Sequence, residues 1–428
     1  MTSSMRRFAF ASLTILVAVL PLSSLPVWAQ VNPPELVAAA KLSAAGQFPE
    51  AIAVYQEYLS AHPQAESAEL ALADCYRRVH NLEAARDVLK LARRQHPRSV
   101  PVLKALGSLE IEDQRWDTAI EALQAALALS PQDLEARNFL GSAYQGKNEL
   151  DAALAEFNRV LTRDPQNQLA HYLRAEVLAD QGENEKALAD AESVVLARPN
   201  YLPSRVQLAK ILVRLKQCPR AVETLQAAHA ARQLEAEALF ILANAYDCAG
   251  QPAQANAVRD EFAAAQQAEH QAKENEVQSK HLVEQTNELA RQNQFAEAAE
   301  LLHRALEKNP QNAFAYSQKA KILFSQGDAS GARAAIAQAL ALQPYQPDFL
   351  YVEGIIAKQE GKLDEALDAF AKATQINPKE SDAFFEIGKI RLQQGDRPAA
   401  LAAFKKAATL DPGDPDYQRA VKTASVPK

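Results

Sequence analysis

Proline recurs through this chain at a fixed interval. Pro63, Pro97, Pro131, Pro165 and Pro199 stand 34 residues apart, and Pro310, Pro344, Pro378 and Pro412 repeat that spacing. A constant period of this length marks stacked supersecondary units rather than one closed core. Pro199 and Pro310 are 111 residues apart, three periods with nine left over. Two units therefore occupy the gap, with Gln233 and Gln267 in the proline place, and a nine-residue insertion follows.

Eleven units result, starting at residues 32, 66, 100, 134, 168, 202, 236, 279, 313, 347 and 381. The twentieth position is Ala in all of them, from Ala51 and Ala85 through to Ala366 and Ala400. The eighth is Ala or Gly except at Thr286, and the twenty-fourth is large and apolar except at Ala191 and Arg259. Apolar residues at positions 4, 7, 8 and 11 form one stripe of a first helix, and those at 20, 24 and 27 one stripe of a second. Gly46, Gly182, Gly250, Gly327, Gly361 and Gly395 fall at the fifteenth position, where the first helix must end. With only 13 Gly in 428 residues, the chain otherwise has the composition of helix.

This pattern resembles the tetratricopeptide repeat, TPR, over residues 32 to 414. The resemblance implies an all-α fold, a helix-turn-helix superhelical solenoid of about eleven 34-residue repeats. One hairpin cannot stand alone. Ordering 34 residues costs about 1.5 kcal/mol each, while a buried Leu or Phe returns about 1.5–3. Neighbours must stack, and the ends need caps. The expected layout is seven repeats over 32–269, a helical spacer at 270–278, four repeats over 279–414 and a C-terminal cap or tail at 415–428. No Gly or Pro occurs from Ala253 to Asn293, and Val277 is nearly the only large apolar residue in 263–281. A helix polar all round is usually solvent-bridging. The second helix of repeat seven is therefore expected to run on into the first helix of repeat eight; the competing reading is a frayed connector.

The N-terminus has another character. Arg6 and Arg7 precede the apolar run Phe8 to Leu20, and Val27-Trp28-Ala29 offers small residues for cleavage. That is the layout of a secretory signal peptide over 1–29. Pro21, Pro26 and the shortness of the run weigh against an uncleaved anchor. The expectation is an exported protein, periplasmic or extracellular, with no stable membrane span after cleavage. The formal charge of −7 is mild and no basic block exists, so nucleic acid is not an expected partner.

Cys75, Cys218 and Cys248 are the only thiols. In a TPR stack the start of one second helix lies beside the end of the next first helix, which would bring Cys218 and Cys248 together. In an oxidising compartment they are the disulfide candidate; the alternative is two separate buried side chains. Cys75 reads as a packed core thiol. No metal-ligand spacing, H-E-x-x-H, phosphate-cradling Gly loop or nucleophile elbow occurs, so neither catalysis nor a cofactor is expected.

The resemblance places function on a concave face lined by positions 2, 5, 9 and 12 of the first helices. In the first array these positions hold Asn138, Tyr172, Lys210, Phe240 and Asn244. In the second they hold Asn287, Phe314, Lys321, Tyr351, Lys358, Phe385 and Lys389. The second set mixes aromatics with Lys, which suits an acidic-aromatic or C-terminal peptide segment. For each aromatic the alternative is packing between helices. The Lys and Asn set by which some family members clamp chaperone C-termini is not present, since Val283, Gln318 and Val352 hold the corresponding places. The expected partners are other proteins or peptides, bound by a bacterial envelope scaffold. The second reading is an accessory subunit of exopolysaccharide or glycosyl-transfer machinery.

Overall fold

A computed structural model describes residues 33–425, so the expected signal peptide at 1–29 lies outside the described residues. Within them the chain is all helix and turn, with no strand. Each repeat gives a first helix (A) and a second (B), as in Val100–Glu112 with Trp116–Leu129 and Pro347–Gln359 with Leu363–Ile376.

Short-range chemistry sets the helix ends. Two residues after the proline, Ser99, Asp133, Asn167 and Asn312 each accept a hydrogen bond from the backbone N–H three residues on, capping helix A. At position 15 every repeat turns through a positive φ. Six of these residues are Gly, and the others are His80, Gln114, Asn148, Lys216 and Asn293, with φ of 57–68°. Arg232, with φ of 54°, ends the second helix of repeat six just before Gln233 takes the usual proline place.

Packing within a repeat follows from small residues. The eleven position-20 alanines are fully buried, which leaves no room for a larger side chain between the helices. At position 8 a Gly faces the buried Phe157, Phe370 and Phe404, and Gly107 faces Leu123, while Ala stands opposite Leu89, Leu225, Ile336 and Tyr55.

Two compact units emerge among the described residues, one of residues 89–269 and one of residues 33–88 with 270–425. This departs from the division into seven plus four repeats. The first two repeats belong with the second array because Tyr345 Oη donates to the Gly46 carbonyl (2.7 Å) and Asn81 Nδ2 to the Ile376 carbonyl (2.7 Å). Contacts between residues about three hundred positions apart leave no trace in a periodic sequence.

Pro252–Arg291 is a single 40-residue helix, about 60 Å long. From 263 to 278 its side chains are almost all exposed. Local pairs one turn apart support it there, Gln271 with Asn275, Gln278 with Glu274 and Lys280 with Glu276. At the C-terminus Pro415–Ser425 forms the capping helix, burying Tyr417 and Ala424 against Phe385 and Phe404.

Candidate functional site: the A-helix face

In the first unit the expected face is only partly open. Asn138 and Tyr172 are buried. Asn138 donates to Asn167 (3.3 Å), and the Tyr172 ring meets Tyr201 edge-on at 6.3 Å. Both serve packing between neighbouring repeats, because position 5 sits low where helix A meets the entry of the next repeat. Lys210 and Asn244 remain partly accessible, and Phe240 is exposed beside Phe262, ring centroids 5.5 Å apart. Sequence reasoning passed over Glu176, although it holds position 9 of repeat five. Burial raises its carboxyl to about 7, with Asp180 adding to the rise and Gln145 opposing it. Charge and periodicity could have flagged the position; desolvation could not be seen from either.

Polar links tie these repeats together. Arg137 binds Glu156 (2.8 Å) and the Pro131 carbonyl, and His171 binds Asp190 (2.6 Å) and the Pro165 carbonyl. Position 4 thus reaches across to the end of the preceding repeat, holding the stack in register. Cys218, at the first turn of one B helix, is joined to Cys248, at the last turn of the next A helix, with Cα atoms 5.6 Å apart. That spacing lies within the disulfide range. Cys75 is a buried free thiol beside Ser43, and burial pushes it up to about 11.

In the second unit Tyr351 packs on Phe370, and Phe385 on Phe404 and Tyr417. Burial, reinforced by Glu386, holds the Tyr351 phenol above its ordinary range. Lys358 reaches Glu386 at 2.5 Å, Lys389 pairs with the same carboxylate, and Lys389 also lies over the Phe385 ring. The buried Glu386, missed in the sequence because position 6 was not counted as facing the groove, therefore already holds two of the expected cations. Lys321 is different: it is exposed and makes no ion pair among the described residues. It borders a cavity of 370 Å³ with Ala290, Phe295, Gln318 and Ile322. Phe314, earlier on the same helix Ala313–Ser325, is 45% exposed and meets Phe349 edge-on. Asn287 is exposed on the neighbouring helix.

A tetratricopeptide repeat profile matches residues 42–109, 110–177 and 289–352, and a second one residues 351–415, together well over half of the chain. The chain belongs to the tetratricopeptide repeat family. The matches skip 178–288, where Gln233, Arg259 and the long polar helix depart from the TPR pattern. Solved structures similar to it include the APC/C hetero-tetramer Cut9-Hcn1 (12% identity, 92% of this chain and 90% of that one, TM-score 0.33). MamA protein is similar at 24% identity over 38% of this chain and 88% of its own, TM-score 0.35. A TPR protein from Parabacteroides merdae is similar at 15% identity over 76% and 99%, TM-score 0.33. No curated protein matches the chain. TPR proteins in general mediate protein–protein interaction, and no described helix is long and apolar enough to cross a membrane.

Proposed function

We propose that this chain is a non-catalytic scaffold of the bacterial cell envelope that captures acidic-aromatic segments of partner proteins on the A helices of its second array. The observation that supports this reading is Lys321, a cation with no ion pair among the described residues, which borders a cavity of mixed lining, Ala290, Phe295 and Ile322 with Asn293, Gln318 and Ser325, on the same helix as the exposed Phe314. Apolar burial there supplies affinity, and an unscreened charge steers the encounter. Lys358 and Lys389 contribute less, because a partner carboxylate would have to displace Glu386.

Peptides of equal length carrying Asp/Glu with Phe, Lys with Phe, or Ser with Phe provide the test by fluorescence anisotropy. The acidic series should bind best, and Lys321→Glu should weaken it about tenfold or more, ~1.4 kcal/mol, while Lys321→Arg retains it. Equal binding of all three series would reject the reading. Export rests on the N-terminal pattern alone. Fractionation with N-terminal sequencing of the mature chain tests it, and a chain recovered intact in the cytoplasm would end that part of the proposal.

A further inference from the structure

The cavity beside Lys321 lies on a seam that other repeats close. Trp116, at position 17 of repeat three, stands so near Gly146, at position 13 of repeat four, that a Cβ there would lie 2.6–2.7 Å from three ring carbons. Cys218 and Cys248 hold the same two positions in repeats six and seven and are bonded to each other. In repeats eight and nine the pair is Phe295 and Ser325, and both border a cavity of 370 Å³. That volume is near the lower bound of about 300 Å³ for ligand pockets, the scale of a single side chain.

Two polar groups on the same wall are also disengaged, although their counterparts in other repeats are not. At position 6 of repeat six, Gln207 donates to the Tyr172 carbonyl (2.9 Å), and at position 6 of repeat eleven, Glu386 pairs with Lys358 and Lys389. Gln318 holds position 6 of repeat nine, is half-buried and makes no hydrogen bond among the described residues. Lys389 at position 9 of repeat eleven has Glu386, whereas Lys321 at position 9 of repeat nine has no ion pair. The Ser325 hydroxyl already donates to the Lys321 carbonyl (2.9 Å). A free side-chain amide such as that of Gln318 offers donors and an acceptor side by side, the complement of a peptide C=O and N–H.

We propose that the cavity receives one aromatic side chain of the partner segment, with a neighbouring acidic residue on Lys321 and the segment's backbone on Gln318. Ala290, Phe295 and Ile322 supply the apolar wall, and the Phe295 ring favours an aromatic guest because ring pairs gain more than the area they bury. Lys321 disfavours a cationic one. The proposal rests on the scaffold reading above and adds which partner group enters the cavity.

Acidic peptides carrying Phe, Leu or Ala at one position, measured by fluorescence anisotropy on the full chain, test it. Replacing Phe by Ala should weaken binding about ten- to a hundredfold, the range for burying one large apolar side chain, with Leu between. Two variants close the cavity: Ala290→Leu, and Phe295→Trp with Ser325→Gly, which copies the seam of repeats three and four. In either, the Phe and Ala peptides should bind within about threefold of each other, while acidic peptides still exceed their Lys counterparts and helical circular dichroism is unchanged. Gln318→Leu should weaken Phe and Ala peptides alike, by about three- to tenfold. Equal binding of Phe and Ala peptides by the native chain overturns the pocket, as does full discrimination in a folded variant with the cavity closed; Leu matching Phe overturns the aromatic guest. Loss of the preference for acidic peptides would sink the scaffold reading as well, whereas a preference that ignores the ring sinks the pocket alone.

Discussion

Replacing Gly354 by Ala sets two physical effects of opposite sign against each other. Helix propensity favours Ala over an interior Gly by about 1 kcal/mol. In the structure, however, a Cβ at Gly354 would stand 2.6–2.8 Å from three carbons of the Phe370 ring. Real Cβ contacts are not that short, and the ring is fully buried against Tyr351. Overpacking of this kind costs about 1–3 kcal/mol, so Gly354→Ala should destabilise by up to roughly 2 kcal/mol net. With a urea slope of about 2 kcal/mol/M, the midpoint read by circular dichroism should fall by up to ~1 M. The same substitution in a Phe370→Leu background should cost less, since Leu89, Leu225 and Ile336 elsewhere in this chain face Ala. A gain in stability from Gly354→Ala in the native background, or an equal loss in both, would refute the overpacking argument.

Gln114→Gly should raise stability by about 0.5–1 kcal/mol, because Gln114 holds φ of 57°, a conformation costing about 1–2 kcal/mol without glycine; a lowered urea midpoint would contradict this. Opening the Cys218–Cys248 link, which spans 30 residues, should cost about 2–4 kcal/mol. Mass analysis after alkylation without reductant should find only Cys75 modified, and that only on unfolding, because burial keeps its thiol up near about 11. Glu176, raised in the folded chain to about 7 from 4.5, binds its proton more tightly folded than unfolded. Its effect is absent below about pH 4.5 and becomes a growing loss of stability as pH rises through 7. Glu176→Gln should therefore stabilise the first unit at pH 8, by up to about 3 kcal/mol, with no difference at pH 4; a pH-independent effect would show that the carboxyl titrates normally.

Whatever recurs every 34 residues was legible in the sequence, because a repeating helix pair writes its caps, small residues and apolar stripes into fixed positions. Ala51 through Ala400, the position-15 turns and the cap helix at Pro415–Ser425 all follow from such local rules. The division into units was not legible, since it turns on single side chains such as Asn81 and Tyr345 that meet partners far away in sequence. The face residues fall between these cases. Period places Asn138, Tyr172 and Phe385 on a stripe, but only the tilt of neighbouring helices decides that the first two are buried. Glu386 shows the same limit from the other side: a charge at an uncounted position pairs with two lysines that the pattern left free.

That distinction bears on how a repeat array acquires a specific site at all. Lys358 and Lys389 share the single carboxylate of Glu386, which is buried. Removing either lysine leaves a desolvated carboxylate less well compensated, so its loss would register as instability before it registered as lost binding. Lys321 carries no such internal obligation, and the residues around it, Ala290, Phe295 and Ile322, leave a hollow rather than filling it. On the proposed reading, stability and recognition then fall to different lysines of successive repeats, and a partner that reads charge would read it at repeat nine, where Lys321 has no ion pair within the chain.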